Sequence, residues 1–101
     1  MSKEYKERIL SAQDSRLFQF IGKEIEVINS SDSNKIGIKG IVKKETKNTF
    51  HVEDIKHNVK ILPKKEIIFK IFSGNIAYII EGRFVIGRLN ERMKKAYRGI
   101  R

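Results

Sequence analysis

The feature that most constrains the fold of this chain is a period-two alternation of apolar and polar residues that begins near Lys23. Ile25 and Val27 alternate with glutamates, and Phe50 and Val52 repeat the pattern further along. These short runs recur about every ten residues with no helical pattern between them, which is typical of antiparallel strands. The spacing predicts a mainly β chain with a meander of about six or seven short strands.

A single glycine gives this meander its expected curvature. Ile36, Ile38 and Val42 share one parity that Gly40 interrupts, and a glycine inside a strand marks a bulge, a bend or a close backbone approach. Strong bending there lets so short a meander close into a small barrel. Two further strands are predicted at residues 75–80 and 83–88, joined by a tight hairpin at Glu81 and Gly82.

Helices are predicted on both sides of the barrel. Residues 3–21 contain no glycine or proline and show a broad apolar face at helical spacing. The final segment begins with Asn90, a favourable N-cap residue. We therefore expect one domain, with an N-terminal helical segment at 1–22 and a barrel with a C-terminal basic helix at 23–101. The first helix packs either on the barrel or on another protein, and the sequence leaves both open.

The charge is unevenly distributed. The net charge is +10, yet residues 1–35 hold six basic and six acidic residues, and residues 36–101 hold sixteen basic and six acidic ones. A basic excess confined to one part of a small domain is the electrostatic footprint of a polyanion-binding protein. A membrane surface selects an amphipathic helix with bulky apolar residues instead, so no membrane partner is expected. Nucleic acid is the favoured partner, and a merely solvated basic surface is the alternative.

Residue types needed for catalysis are scarce. The chain has no cysteine, and its histidines, His51 and His57, form no metal-ligand spacing with other residues. Neither a nucleophile motif nor a glycine-rich phosphate loop is present. We expect no catalytic residue, no metal ligand and no cofactor in this chain. The charged N-terminus and the absence of a long apolar run predict a cytoplasmic protein.

Three basic groups and one polar turn are the candidate binding residues. Asn48 and Thr49 end the polar run 43–49, where neutral donors and acceptors reach ribose hydroxyls or base edges. Asn48 equally fits the left-handed conformation of a turn, and the two interpretations are compatible. The basic groups are Lys39, Lys43, Lys44 and Lys47; Lys56, Lys60, Lys64 and Lys65; and a C-terminal set that includes Arg88, Arg92 and Lys95.

Several short motifs resemble a known family. They are Ile21-Gly22, Gly37-Ile38-x-Gly40, the run from Glu45 to Thr49, Pro63-Lys64, and Arg88-x-x-Glu91-Arg92. With the sequence around them, from about residue 17 to 97, they resemble the archaeal ribonuclease P protein subunit with an Sm-like (SH3-like) barrel. Eukaryotic relatives of that family belong to ribonucleases P and MRP.

The resemblance implies a non-catalytic protein in a ribonucleoprotein whose RNA cleaves precursor tRNA at its 5′ end. It implies binding to ribonuclease P RNA, indirect contact with precursor tRNA, heterodimer formation with a zinc-ribbon protein subunit, and Mg²⁺ for the RNA. The implied RNA contacts are Lys43, Lys47, Asn48, Thr49, Lys64, Arg88 and Arg92, and Lys39, Lys44, Lys65 and Lys95 join them from the basic groups. By position, the implied protein contacts are Ile9, Leu10, Leu17 and Phe20.

Two other functions remain open at this point. A ring-forming Sm-like or ribosomal RNA-binding protein has the same charge and strand pattern. A protein nuclease that acts alone is the alternative from another class, although the sequence shows no group of residues suited to that chemistry.

Overall fold

The computed structural model describes residues 4–98, with side chains inside the last helix described as far as residue 94. Seven strands, two α-helices and three 3₁₀ helices make up this part of the chain. The strands are β1 (Lys6–Ile9), β2 (Glu24–Ser30), β3 (Lys39–Glu45), β4 (Thr49–Glu53), β5 (Val59–Pro63), β6 (Ile67–Ser73) and β7 (Ile76–Glu81). The helices are α1 (Ala12–Arg16) and α2 (Leu89–Arg98), and the 3₁₀ helices are Ser33–Lys35, Lys64–Glu66 and Gly82–Val85.

All seven strands belong to one sheet in the order β1-β7-β6-β2-β3-β4-β5. The β1–β7 pair is parallel, and every other pair is antiparallel. The predicted mainly β fold of the Sm-like type is confirmed, except that the sheet is open. β1 and β5 lie at its two ends and do not pair with each other.

Aromatic and β-branched side chains fill the concave side of the sheet. Phe20, Phe50 and Phe69 are fully buried and meet edge to face, with ring centroids 5.0 to 5.8 Å apart. The alternating residues Ile25, Val27, Val42, Val52 and Ile71 are also fully buried, as the period-two pattern predicts. Each such side chain contributes about 1.5–3 kcal/mol through burial.

Gly40 marks a close approach between two strands. A Cβ atom at this position would lie 2.2 Å from the carbonyl oxygen of Glu53, so no larger residue fits without moving the backbone. The register shifts of the sheet lie elsewhere, between Val27 and Asn29 and between Val42 and Lys44. These shifts, together with Gly40, account for the curvature that was predicted from Gly40 alone.

The prediction of one long N-terminal helix is wrong. Residues 6–9 form β1, held beside β7 by hydrogen bonds from Lys6 N to Asn75 O and from Leu10 N to Ile79 O, both 3.0 Å. Helix is confined to α1, which begins where the Ser11 side chain accepts a hydrogen bond from Asp14 N. The free edge of β7 offers backbone partners over this segment, and tertiary pairing of that kind overrides a local helical pattern.

The predicted strand at 83–88 is also wrong. The chain turns into the 3₁₀ helix Gly82–Val85 because Gly82 lies against the segment after β5, and a Cβ there would approach Lys64 O to 1.8 Å. The tight hairpin of this region is instead the β6–β7 turn, where Gly74 has φ +60°. Helix α2 begins at Leu89, so Asn90 lies within it and is not its N-cap.

Candidate nucleic-acid interface

A buried ion cluster lies beneath the turn that joins β3 and β4. The carboxylate of Glu45 accepts from Lys64 Nζ at 2.8 Å and from Arg92 Nη1 at 2.8 Å. Arg92 Nη2 donates to Phe18 O at 3.1 Å, and its guanidinium lies 4.8 Å from the ring centroid of Phe20. The side chains of Lys64 and Arg92 are fully buried, and that of Glu45 is 3% exposed.

A strand irregularity turns Glu45 inward. Strict alternation from Val42 would place Lys44 in the core and Glu45 in solvent. The register shift between Val42 and Lys44 adds a residue, so Lys43 and Lys44 are both exposed and Glu45 is buried. This bulge therefore separates the two lysines, which face solvent, from the carboxylate, which faces the interior.

One carboxylate serves two cations in this cluster. Burial disfavours a charged ammonium and lowers the pKa of Lys64, against the opposing attraction of Glu45. Burial likewise lowers the pKa of Arg92, again against Glu45. Because a buried charge is tolerated only when it is paired and hydrogen-bonded, the two cations depend on Glu45.

The same lysine holds three separate segments together. Lys64 Nζ donates to Lys47 O at 3.2 Å and to Gly87 O at 2.9 Å, and Lys64 N donates to Asn48 O at 2.8 Å. Gly87 N closes the arrangement with a 2.7 Å bond to Lys47 O. The β3–β4 turn, the start of the segment after β5 and the chain before α2 thus form one end of the molecule. Its exposed side chains are those of Lys47, Asn48, Lys65 and Arg88, which we call the turn surface.

The turn itself is fixed by its two threonines. Thr46 N donates to Thr49 O at 3.0 Å, Thr49 N donates to Thr46 Oγ1 at 3.0 Å, and the two hydroxyl groups are 2.5 Å apart. Within residues 4–98 His57 is the one non-glycine residue with positive φ, so the left-handed interpretation of Asn48 is wrong. Its exposed amide remains available for a contact, whereas the Thr49 hydroxyl is engaged inside the turn.

The other exposed lysines of the first basic group lie along β3. Lys39 Nζ is 4.0 Å from Glu24 Oε1, and Lys43 Nζ is 3.7 Å from Glu53 Oε2, so nearby carboxylates partly neutralise both. Lys44 is exposed one residue before Glu45. Lys95 lies in α2, but its side chain falls outside the described part of the structure.

Two of the expected RNA contacts and one expected protein contact face the interior. Lys64 and Arg92 are fully buried in the ion cluster, which contradicts the expectation that they touch RNA. Phe20 is fully buried in the core and has no surface to offer a protein partner. Leu10 packs partly buried against the core, while Ile9 and Leu17 are exposed at 81% and 49%.

Glu45 is the residue of the ion cluster that the sequence placed in the wrong environment, because it belongs to the polar run 43–49 and yet is buried. Its signal was present, because it is the one carboxylate in a run of lysines and small polar residues from 43 to 49. No group of three potential metal-ligating side chains occurs within the described residues. None of the helices between residues 4 and 98 has the length and apolar character needed to span a membrane.

Comparison with known proteins gives a consistent result. The family model described as ribonuclease P/MRP, subunit p29, matches residues 17–95. Ribonuclease P protein component 1 of Methanosphaera stadtmanae is 36% identical over 94 residues, which cover 92% of this chain and 100% of that protein. The protein of the same name from Methanocaldococcus jannaschii is 34% identical over 77 residues, covering 76% of this chain and 81% of that protein.

A solved structure shows the same fold. A homologue of the human RNase P protein Rpp29 superposes with a TM-score of 0.55 at 28% identity, covering 74% of this chain and 97% of that chain. Its fold, the curated relatives and the family model all indicate the same family. The chain therefore belongs to the ribonuclease P/MRP subunit p29 family, and it is an RNA-processing protein subunit that is not catalytic by itself.

Proposed function

We propose that this chain binds the RNA of ribonuclease P through the turn surface and thereby supports 5′ maturation of precursor tRNA by that RNA. One observation carries the proposal. Lys47, Lys65 and Arg88 come from three distant parts of the sequence, and the buried Lys64 fixes their segments to one another. Among the described ion pairs none involves these three side chains, so their charges are available to phosphates.

The chemistry of this surface suits an RNA backbone. Each lysine or arginine that neutralises a phosphate releases a condensed counterion, which makes binding favourable and dependent on salt. Arg88 can form two parallel hydrogen bonds with one phosphate, and the Asn48 amide suits a ribose hydroxyl or a base edge. A basic protein at this position screens repulsion between RNA helices, so the RNA reaches its active fold at lower Mg²⁺.

The partner protein belongs to the same proposal. We expect a zinc-ribbon protein subunit of ribonuclease P to dock on the N-terminal segment, where Ile9 and Leu17 expose apolar surface. Exposed aliphatic side chains suit a protein partner better than RNA, because they offer phosphates no hydrogen bond. Precursor tRNA is contacted indirectly through the RNA, the Mg²⁺ belongs to the RNA, and the complex is cytoplasmic.

Reconstitution tests the proposal. The chain is added to ribonuclease P RNA and precursor tRNA, with and without the zinc-ribbon subunit, across a Mg²⁺ series. We expect the chain to lower the Mg²⁺ needed for 5′ cleavage, and the Lys47→Glu/Lys65→Glu variant to lose most of that effect. The Lys56→Glu/Lys60→Glu variant is the control, because it changes the net charge equally near the start of β5, whereas Lys65 follows the end of that strand.

The outcomes separate the alternatives. If both double variants behave alike, net charge and not the turn surface drives the effect, and the proposed site is rejected. Specific 5′ cleavage by the purified chain without RNA would instead identify a nuclease acting alone. A hexamer or heptamer in sedimentation would favour a ring-forming protein.

A further inference from the structure

The free edge of the sheet at β5 carries an exposed apolar strip. Val59 and Ile61 are each 56% exposed, although the next residue of the strand, Leu62, is fully buried. They occupy one face of β5, opposite Glu53 and His51 of β4. Two aliphatic residues side by side in solvent on an edge strand are unusual, because edge strands are normally protected against pairing with other chains.

The turn before β5 extends this strip. Ile55 is 94% exposed, and the turn that displays it is firmly held. Asp54 Oδ1 accepts from Lys56 N and Asn58 N, both at 2.9 Å, and Asp54 N donates to Asn58 O at 2.9 Å. The exposure of Ile55 is therefore a feature of an ordered turn.

The backbone of β5 is paired on one side. β4 is its one strand neighbour within residues 4–98, so the N–H and C=O groups on the opposite side of β5 are available to another strand. Strand addition at such an edge takes affinity from main-chain hydrogen bonds and specificity from alternate side chains. An extended segment paired with this free edge would place its own side chains beside Val59 and Ile61. Glu53 and His51 of β4 already lie beside these two residues on the paired edge.

The charges beside β5 indicate which kind of protein segment would bind to this edge. Lys56 and Lys60 are exposed, and no described carboxylate forms an ion pair with either. The nearby acidic groups are already engaged, since Asp54 holds its own turn and Glu53 lies 3.7 Å from Lys43 and 3.9 Å from His57. The edge therefore combines aliphatic side chains with unpaired ammonium groups.

From these observations we infer that β5 is a docking edge for an extended protein segment in which acidic and aliphatic residues alternate. RNA fits less well, because aliphatic side chains give phosphates no hydrogen bond and the strip contains no aromatic ring for a base to stack on. A second copy of the chain also fits less well, because antiparallel β5–β5 pairing would bring the Lys60 ammonium groups of two strongly basic molecules together.

The inference is tested with synthetic peptides and the full chain. The probe is an end-blocked, fluorescently labelled peptide of about seven alternating glutamate and valine residues, long enough to span β5. Binding is measured by anisotropy, and protection of β5 amides is measured by hydrogen exchange. We expect saturable binding and slower exchange of the backbone amides of Val59 and Ile61, which the antiparallel register directs away from β4.

Two variants and one modified peptide distinguish strand addition from simple attraction. Val59→Ser/Ile61→Ser, which changes no charge and no buried residue, should weaken peptide binding about tenfold while leaving RNA binding unchanged. Lys56→Glu/Lys60→Glu should transfer the preference to the matching lysine–valine peptide, whereas Lys47→Glu/Lys65→Glu should not. The acidic peptide with methylated backbone nitrogens should not bind.

Contrary results are equally specific. Equal binding of the methylated peptide, or no loss in the serine variant, would show that attraction to a basic protein explains the signal. Displacement of the peptide by ribonuclease P RNA would assign the edge to RNA, and concentration-dependent self-association that is lost in the serine variant would assign it to a second copy. Each of these results overturns the inference.

Discussion

Two glutamates on neighbouring strands, Glu45 and Glu53, each lie between two nitrogen-bearing side chains. Glu45 holds Lys64 and Arg92 at 2.8 Å with its own side chain 3% exposed. Glu53 holds Lys43 at 3.7 Å and His57 at 3.9 Å with its side chain 28% exposed. The residue types are similar, but one group is part of the interior and the other lies on the surface.

The difference shows what each group does for binding. Lys64 and Arg92 have given up contact with solvent, and the bonds from Lys64 to Lys47 O and Gly87 O hold the turn surface in shape. Lys43 keeps its ammonium in solvent, where its attraction to Glu53 is weak and is screened by salt. A lysine of this chain thus either supports the turn surface from within or lies exposed on a surface, and its burial decides which.

Removing the buried carboxylate is expected to have the largest effect. Glu45→Gln leaves two buried cations with no counter-ion, which costs about 3–5 kcal/mol of unfolding free energy. For a domain of this size that is a large share of the total stability. Urea unfolding monitored by circular dichroism measures the change.

Glu53→Gln is the matched control for that variant. It also removes one carboxylate, here beside Lys43 and His57, but at a partly exposed position, so its cost stays within about 1 kcal/mol. Equal losses in the two variants would contradict the distinction between a buried and a surface cluster.

The sequence predicts most strands of the sheet well, because the alternation of apolar and polar residues shows which side chains of a strand face the core. Ile25, Val27, Phe50 and Val52 are buried as their parity requires. The alternation does not record where a strand gains a residue, so the bulge after Val42 was not foreseen. That one extra residue turns Glu45 inward, where it pairs with Lys64 and Arg92, the two buried residues that the resemblance implied as RNA contacts.

The prediction of an N-terminal helix was wrong for a different reason. Helical spacing is a local property, whereas β1 exists because the edge of β7, about seventy residues away in the chain, offers partners for its backbone. Phe20, which follows α1, also packs against distant parts of the chain, because its ring meets those of Phe50 and Phe69 in the aromatic core. The apolar and polar pattern of one segment alone does not predict its pairing with a distant segment.

RNA binding gives the second test of the comparison. Lys47→Gln removes a free ammonium from the turn surface, and the slope of log affinity against log salt should fall by about 0.7–0.9. Lys43→Gln should lower that slope by less than half as much, because Lys43 shares its charge with Glu53 before RNA arrives. Filter binding to ribonuclease P RNA across a salt series measures both slopes. A larger change for Lys43 would move the RNA contact from the turn surface to β3.

The pH dependence of stability gives the smallest expected effect, and it isolates Lys64. Burial lowers the pKa of Lys64 in the folded chain below the value of 10.5 that it regains on unfolding. Between those two pKa values the unfolded chain binds more protons than the folded one, so the unfolding free energy contributed by this group rises with pH.

Lys64→Met abolishes this titration along with the bonds to Lys47 O and Gly87 O. The difference in unfolding free energy between the natural chain and the variant should therefore grow as the pH rises toward 10.5 and level off above it. Denaturant unfolding of both proteins over that range measures the difference. A difference that shrinks with rising pH would mean that the attraction of Glu45 outweighs burial at Lys64, and that the buried cluster behaves as a stabilising ion pair.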